Sequence, residues 1–200
     1  FGTVGRPLRG NQIVVAEDGA IRVSGPGLFQ GYLDEKTRTS GDAENFFLTG
    51  DLGHLSTDGY LTLTGRTGDL IKTSTGRRIA PAGVEAQLRQ VPGIDEAVLI
   101  GTGRNYLVAL CTSSAPKLDE ESRMKLAERI SIQISQLGTH ERPRGIALLH
   151  RPFSIEQGEL TPNLKIRHSA VEDKHAALIN SIYQKIDGSP ATPDGQVIVI

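Results

Sequence analysis

The sequence predicts an α+β fold in which an irregular antiparallel β-barrel subdomain precedes a small α+β domain. In the first third, short runs rich in β-branched residues flank the dipeptides Asp18-Gly19 and Asp58-Gly59, which favour tight hairpin turns. After about residue 68, strand-like runs alternate with segments of helical period. We therefore expect the β subdomain to cover residues 1–67 and the α+β domain to cover residues 69–187.

Two hairpins are predicted in the β subdomain. The first joins strands over 11–17 and 20–25, and the second joins strands over 51–55 and 60–64. Apolar and polar residues alternate strictly in 60–64, which is typical of a strand with one buried face. The 23 glycines are consistent with many tight turns, and the stretch between the hairpins is rich in loop-forming residues.

Strands and one short helix are predicted at the start of the second part. The strands are expected over 69–73, 96–100, 107–112 and 145–150. Pro81 suits the first turn of a helix. The apolar positions of that helix share one face: Val84, Leu88 and Val91.

Two longer helices complete the predicted α+β domain. Asp119 is a candidate N-cap for a helix that runs to Leu137 and ends at Gly138. Its apolar face is expected to contain Met124, Ala127, Ile130, Ile134 and Leu137. Ser169 and Glu172 have the spacing of a capping box for the last helix, whose buried side is expected to contain Val171, Leu178, Ile182 and Ile186. Residues 188–200 are rich in Gly and Pro and are predicted to form a flexible tail.

Charge and composition exclude several classes of protein. The chain has 22 Lys+Arg against 23 Asp+Glu, a formal charge of −1, so no basic surface indicates nucleic acid as a partner. Its apolar runs are too short for a membrane span. Cys111, the single cysteine, permits no internal disulfide and suits a reducing compartment, so we expect a cytoplasmic location. Because residue 1 is Phe, the chain is expected to be part of a larger protein.

Common cofactor motifs are not predicted. The five histidines and Cys111 lack metal-ligand spacing, so no metal site is expected. Gly101-Thr102-Gly103 follows a predicted strand, but another strand follows it and Tyr106 occupies the third small position of a dinucleotide fingerprint. The phosphate loop GxxxxGK[ST] and the serine nucleophile elbow are also missing from the sequence.

Three polar clusters lie within apolar sequence. Thr49-Gly50-Asp51 is expected to end a strand at a turn, where a carboxylate can accept hydrogen bonds from a vicinal diol. The second cluster is Gly65-Arg66 followed by Asp69 to Lys72, and the third is a loop over 158–167 that carries Lys165. Each cluster alone is weakly informative, since an ordinary turn aspartate or a solvated basic loop is the more frequent origin of such a segment.

Together, in this order and spacing, the clusters resemble the adenylate-forming enzymes: acyl-CoA synthetases, adenylation domains of peptide synthetases, and luciferases. The similar segments are 2–8, 31–32 with Glu35 and Thr37, 47–53, 65–72, 76–81 with Glu85, and 160–167. The last segment, with Gly103-Arg104 and Ile182-Tyr183, most resembles the long-chain acyl-CoA synthetase branch. The resemblance covers about residues 2–186.

This resemblance implies a two-step reaction and roles for three residues. Family members join a carboxylate to ATP, release pyrophosphate, rotate a small mobile C-terminal domain, and transfer the acyl group to a thiol. Asp51 matches the aspartate that holds both ribose hydroxyls, and Arg66 matches an arginine that supports the ribose. Lys165 matches the lysine that reaches the forming bond. ATP and CoA are the implied cosubstrates, and Mg2+ is expected to bind mainly to the upstream N-terminal part.

The resemblance also implies a hinge and a thiol-binding loop. The family hinge lies two residues after the arginine and is usually Asp or Lys, whereas this chain has Gly68 there. Gly76 and Arg78 match the loop that lines the pantetheine tunnel, and either Arg77 or Arg78 is expected to meet a CoA phosphate.

The sequence therefore predicts the C-terminal part of an ATP-dependent long-chain fatty acid–CoA ligase that is inactive without its N-terminal domain. Its expected partners are a fatty acid or another carboxylate, a CoA or pantetheine thiol, and that N-terminal domain. Two alternatives stay open. One is an adenylation domain that loads a carrier protein, and the other is a non-catalytic α+β interaction module.

Overall fold

The chain divides into two compact units, Phe1–Leu70 and Ile71–Ile200. The computed structural model describes residues 2–28, 46–114 and 119–188, together with the backbone of a short strand at 198–199. Both units contain antiparallel strands, and helices of more than one turn lie in the second. The predicted α+β fold class is confirmed, while the predicted boundary at residues 67–69 stays a prediction.

The first unit is a four-stranded antiparallel sheet in the order β1-β2-β3-β4. Its strands are β1 (Gln12–Val15), β2 (Ala20–Ser24), β3 (Phe47–Leu55) and β4 (Leu61–Arg66). Gly19 and Gly59 occupy the two hairpin turns with φ of +83° and +78°, a conformation that costs glycine no Cβ clash. Both predicted hairpins are therefore confirmed. Register shifts between Ala20 and Arg22 and between Leu52 and Gly53 curl the sheet.

Part of the predicted similarity lies outside the described residues. The segment 29–45 includes Gly31, Tyr32, Glu35 and Thr37. Residues 189–197 of the predicted flexible tail also lie outside the described residues.

The second unit is built on a mixed sheet in the order β10-β9-β8-β7. Its strands are β7 (Glu96–Ile100), β8 (Val108–Thr112), β9 (Gly145–Leu149) and β10 (Ile198–Val199). A separate two-stranded ladder is formed by β5 (Ile71–Lys72) and β6 (Arg78–Ile79). Strand β10 pairs in parallel with β9, so the prediction of a flexible tail is wrong at these two residues. The run of four β-branched residues over 197–200 is a signal for a strand, which the Gly and Pro content of the preceding residues outweighed in the prediction.

Helices cover both faces of the mixed sheet. They are α1 (Pro81–Arg89), α2 (Glu120–Gln133), α3 (His168–Lys174) and α4 (Ala176–Asp187). Alternate residues of β8 enter two separate apolar clusters, one shared with α1 and α2 and the other with α3 and α4. All five residues of β8 are buried, and each large apolar side chain so buried contributes about 1.5–3 kcal/mol.

Two predicted details of α2 are wrong: the buried position of Met124 and the end of the helix at Leu137. Met124 has 67% of its surface exposed, and Leu126 is buried in its place. The Asp119 N-cap is confirmed, because its carboxylate accepts from the Ser122 amide at 2.8 Å, and α2 ends at Gln133 before a 3-10 turn. The buried face of this stretch follows Leu126, Ile130 and Ile134, which are four residues apart. Met124 is only two residues before Leu126 and therefore lies on a different side of the helix.

The capping box predicted for the last helix is not formed. Helix α3 begins at His168, and Arg167 at its N-cap makes no side-chain capping bond. The predicted single helix is also interrupted at His175, which separates α3 from α4. The buried side is largely as predicted, since Val171, Ile182 and Ile186 are all buried.

No helix among the described residues is both long enough and apolar enough to cross a membrane.

Candidate functional site

Asp51 and Arg66 form a cross-strand ion pair in the first unit. They are directly registered between β3 and β4, and Arg66 Nε lies 3.1 Å from Asp51 Oδ1. The prediction that Asp51 ends a strand is wrong, because it lies inside β3. Gly50 beside it has a φ of +77°, which bends the strand locally without breaking it. Thr49 supports the bend, since its hydroxyl accepts from the Asp51 amide at 3.0 Å.

The pair is presented to solvent. The Arg66 side chain is 71% exposed and the Asp51 side chain is 29% exposed. A carboxylate only accepts hydrogen bonds, while a guanidinium only donates them in a fixed fork. With Arg66 held at Oδ1, the other oxygen of Asp51 has the chemistry to accept from hydroxyl groups.

Gly76 and Arg77 lie in the turn of the β5–β6 hairpin, Arg78 is the first residue of β6, and all three are exposed. Thr73 organises this turn, because its carbonyl accepts from the Gly76 amide at 3.0 Å and its hydroxyl accepts from the Arg77 amide at 3.2 Å. Gly76 has a φ of +81°, and no atom lies within 4 Å of where its Cβ would be. The turn therefore exposes the backbone at Gly76, and the next two residues are both arginines.

A neighbouring loop holds this hairpin in place. The Gly103 amide donates to the Lys72 carbonyl at 2.8 Å, and the Ser74 amide donates to the Arg104 carbonyl at 3.0 Å. The Arg104 guanidinium stacks 4.5 Å from the centre of the Tyr183 ring. The hairpin is thus connected through Arg104 to helix α4.

A cavity of about 630 Å³ lies beside Arg77 in the second unit. Its lining is mixed: it contains the three arginines Arg77, Arg142 and Arg144 together with Thr73, Tyr106 and His140, and the apolar residues Leu107, Ile134 and Pro143.

Two of the cavity arginines are held by neighbouring groups. Arg142 Nε donates to the Leu137 carbonyl at 2.9 Å, and the Arg144 guanidinium lies 5.2 Å from the centre of the Tyr106 ring. Burial, together with a hydrogen bond to Asp187, raises the pKa of Tyr106 to about 12. The tyrosine therefore stays neutral, and the arginines give the cavity its positive charge.

Lys165 lies at the exposed tip of a tight loop before α3. The Thr161 amide donates to the Lys165 carbonyl at 2.8 Å, and the Thr161 hydroxyl accepts from the Lys165 amide at 3.1 Å. Leu164, immediately before the lysine, has a φ of +59° and is the one non-glycine with positive φ in the described part of the chain. The backbone of Lys165 is thus fixed while its side chain extends into solvent.

Glu159 anchors the base of this loop and was not singled out from the sequence. Its side chain has no exposed surface. It accepts from Arg151 Nη1 at 2.8 Å and Nη2 at 2.6 Å, and from the Ser154 amide at 3.1 Å. His175 Nε2 lies 2.8 Å from the same carboxylate. The bidentate hydrogen bond from Arg151 is the main cause that lowers the pKa of Glu159 to about 2.

Glu85 forms a second buried carboxylate contact. Its Oε1 accepts from the Leu99 amide at 2.9 Å and lies 2.9 Å from His168 Nε2. This contact connects α1 and β7 to the first residue of α3. The sequence carried a usable signal, because Glu85 is adjacent to Val84 on the predicted buried face of α1, and a charged residue there requires a partner.

The structure places the predicted site residues in two groups. Asp51 and Arg66 meet in the first unit, and Gly68 lies in the 3-10 turn Thr67–Asp69 with no neighbour within 4 Å of a built Cβ. The hairpin residues 76–78 and Lys165 belong to the second unit. Among the residues that the structure describes, no group of three or more His, Cys, Asp or Glu side chains could hold a metal ion.

Residues 68–187 match the model of the AMP-binding enzyme C-terminal domain. The chain belongs to this family. Over 92% of its length it is 34% identical to the long-chain-fatty-acid–CoA ligase FadD15 of Mycobacterium tuberculosis, and over 84% it is 32% identical to the long-chain-fatty-acid–CoA ligase ACSBG1 of Rattus norvegicus. It covers 34% and 29% of those two proteins, so the chain spans about a third of the length of the curated relatives it matches.

Solved structures share the fold of this chain. The adenylation–carrier didomain of carboxylic acid reductase from Segniliparus rugosus, in complex with AMP, covers 91% of this chain with a TM-score of 0.74 and 20% identity. The chain covers 28% of that structure. ATP-bound MatB from Rhodopseudomonas palustris covers 88% of this chain with a TM-score of 0.67 and 23% identity, and the chain covers 36% of it. The resemblance to the C-terminal portion of adenylate-forming enzymes is therefore confirmed.

Proposed function

We propose that this chain is the C-terminal part of an ATP-dependent long-chain fatty acid–CoA ligase. The observation that carries the proposal is the 34% identity, over 92% of the chain, to a protein named as such a ligase. In the first step a carboxylate oxygen bonds to the α-phosphorus of ATP and pyrophosphate leaves. In the second step a thiol sulfur bonds to the acyl carbon, AMP leaves, and the thiol proton is lost.

Asp51 and Arg66 are proposed to hold the ribose of ATP. Their ion pair at 3.1 Å fixes the carboxylate before the nucleotide arrives. Because Asp51 can only accept hydrogen bonds, its remaining lone pairs suit the two hydroxyl donors of a ribose. The same pair serves both steps, since the ribose is carried from ATP into the acyl-adenylate.

Lys165 is proposed to act in the first step. Charge builds up on the α-phosphate in the transition state, and a positioned ammonium stabilises it. The exposed side chain on a fixed backbone meets that need. Loss of one such donor commonly costs about 10²–10³ in rate.

The hairpin 76–78 and the adjacent cavity are proposed to receive CoA. Pantetheine attached to a carrier protein has a single phosphate, whereas free CoA also carries an adenosine with further phosphates. The cavity places Arg77 with Arg142 and Arg144, and guanidinium groups are suited to phosphate. This cationic lining favours free CoA over a carrier protein as the acceptor. A cytoplasmic location stays a prediction that rests on the single cysteine.

The central test measures both half-reactions in the full-length protein. We expect fatty-acid-dependent exchange of pyrophosphate into ATP, followed by thioester formation with CoA. Transfer to a carrier protein but not to CoA would favour the carrier-loading alternative, and absence of exchange would favour the non-catalytic module. The 200-residue chain alone is expected to show no exchange, and robust exchange by it would contradict the proposal.

Substitution of Lys165 separates the two steps. Lys165→Ala in the full-length protein is expected to lower the exchange rate by about 10²–10³, while thioester formation from supplied acyl-adenylate is retained. Equal loss of both half-reactions would contradict the role of Lys165 in adenylation.

A comparison of acceptors tests the cationic cavity. Arg77→Ala is expected to raise the KM for CoA and to leave the KM for pantetheine, which lacks the nucleotide, unchanged. An equal rise in both values would contradict binding of the CoA phosphates by this arginine. Arg89→Ala, at the exposed end of α1, is the matched control.

A further inference from the structure

The loop that carries Lys165 is fixed at its base by a buried charge. Glu159 has no exposed side-chain surface, and its carboxylate is matched by both terminal nitrogens of Arg151. A buried carboxylate costs several kcal/mol unless it is paired and hydrogen-bonded. Here the pairing is bidentate, and the Ser154 amide and His175 add further contacts.

The backbone of Glu159 also links the two ends of the loop by hydrogen bonds. The Glu159 amide donates to the Ser154 carbonyl at 3.0 Å, and the Glu159 carbonyl accepts from the Arg167 amide at 2.8 Å. Arg167 follows Lys165 by two residues. Fixing Glu159 therefore fixes the chain both before and after the lysine.

The tip of the loop is strained but is closed by its own hydrogen bonds. Leu164 has a φ of +59°, and the left-handed region costs a residue with a Cβ about 1–2 kcal/mol. Three hydrogen bonds close the turn: the Leu164 amide donates to the Thr161 carbonyl at 2.8 Å, the Thr161 amide donates to the Lys165 carbonyl at 2.8 Å, and the Lys165 amide donates to the Thr161 hydroxyl at 3.1 Å. The tip is thus a rigid turn, and the anchored base at Glu159 sets its position in the second unit.

We propose that Glu159 is a positioning residue for Lys165: paired with Arg151, it holds the loop so that the ammonium reaches the reacting phosphate. The inference rests on the proposed function, because Lys165 acts only if the adenylation step takes place. Glu159 itself does not touch substrate. Its effect on the rate passes through the placement of Lys165.

The kinetic test uses Glu159→Gln, which keeps size and removes charge, in the full-length protein. Misplacement of a catalytic group by about 1 Å can cost about 10²-fold in rate. We expect a 10²-fold lower kcat for exchange, an unchanged KM for ATP, and thioester formation from supplied acyl-adenylate within about twofold of wild type. Glu156→Gln, at an exposed carboxylate two residues before this loop, is the matched control and is expected to leave both steps unchanged.

A double variant distinguishes positioning from general stabilisation. If Glu159 acts only through Lys165, then Glu159→Gln adds no further loss of exchange in a Lys165→Ala background. An additive loss, or an equal loss of both half-reactions in the single variant, would overturn the inference.

Hydrogen exchange of the loop amides gives a readout that does not need activity. Glu159→Gln is expected to speed hydrogen exchange at Thr161, Leu164 and Lys165 by a larger factor than in β8, whereas Glu156→Gln changes neither. Unchanged loop protection would overturn the inference even in an active enzyme. Wild-type protein that shows no pyrophosphate exchange would instead contradict the proposed function.

A second variant serves if Glu159→Gln unfolds the second unit. Arg151→Lys loses the bidentate fork and is expected to speed hydrogen exchange in the loop in the same way. Unchanged hydrogen exchange in Arg151→Lys would count against the proposal.

Discussion

Arg66 Nε lies 3.1 Å from Asp51 Oδ1, between two residues that face each other in the register of β3 and β4. Exposed ion pairs of this kind contribute about 1 kcal/mol or less to stability. Gly50 beside Asp51 has a φ of +77° and bends β3 where the pair is presented to solvent. Because the pair contributes little to folding, Asp51 can be substituted to test the proposed ribose contact without unfolding the first unit.

The first prediction concerns nucleotide affinity. Asp51→Asn keeps the shape of the side chain but replaces one acceptor oxygen with a donor. Hydrogen bonds to a charged group are worth about 1.5–3 kcal/mol, so we expect the Kd for AMP to rise by about 10- to 100-fold in the full-length protein, measured by calorimetry. Asp58→Asn, at the tip of the β3–β4 hairpin, is the control. Equal affinities for AMP in Asp51→Asn and wild type would rule out the ribose role.

The second prediction concerns the strained residue before Lys165. Leu164→Gly removes the Cβ clash of about 1–2 kcal/mol but adds about 0.5–1 kcal/mol of chain entropy in the unfolded state, so the folded loop is kept and is slightly stabilised. We expect the rate of pyrophosphate exchange in the Leu164→Gly variant to stay within about threefold of the wild-type rate. Leu164→Val is expected to lower the rate by about tenfold, because a β-branched residue is a genuine outlier at positive φ. If the two variants had equal rates, the geometry at this position would have no part in adenylation.

The third prediction concerns the proposed hinge. Gly68 has open space around it, so Gly68→Ala is expected to leave both half-reactions intact. Gly68→Pro fixes φ near −65° and restricts Thr67 before it. It is expected to block thioester formation from acyl-adenylate while adenylation is retained. Unimpaired thioester formation in Gly68→Pro would count against a hinge at this residue.

Local signals in the sequence were sufficient for much of the fold. The Asp-Gly dipeptides fixed both hairpins, because glycine at positive φ is a requirement of the turn itself. Apolar spacing placed Val84 and Leu88 on the buried face of α1. The failure at Ser169 has a physical cause as well, since α3 starts at His168, whose ring is drawn to the buried Glu85. A tertiary contact over 83 residues is not encoded in a four-residue motif.

The candidate site likewise divides into residues that short sequence segments indicated and residues that depend on tertiary contacts. Asp51, Arg66 and Lys165 were singled out because their short segments, taken together in this order and spacing, resemble the adenylate-forming enzymes, whereas no one segment was sufficient by itself. The Glu159 anchor was missed, since its partners Arg151 and His175 lie 8 and 16 residues away and converge only when α3 packs. Buried charge networks of this kind depend on tertiary structure.

The fourth prediction concerns acid stability of the second unit. The pKa of Glu159 is lowered to about 2 in the folded protein, whereas an unfolded glutamate titrates near 4.3. Below about pH 4.3 the unfolded chain takes up a proton that the folded chain does not, so the contribution of Glu159 is complete above that pH and is lost as the pH falls toward 2. The contribution is on the order of 3 kcal/mol.

Cys111 provides the measurement, because it is the single cysteine and is completely buried in β8. Burial raises the pKa of its thiol, so it stays unreactive until the second unit opens. Labelling with 4,4′-dithiodipyridine, which reacts with thiols in acid, reports that opening. Wild type is expected to lose protection as the pH is lowered from 5 to 3, and Glu159→Gln to lose much less over the same interval, with exposed Glu128→Gln on α2 behaving as wild type. Equal loss of protection in Glu159→Gln and wild type would show that the buried pair with Arg151 is not a source of acid sensitivity.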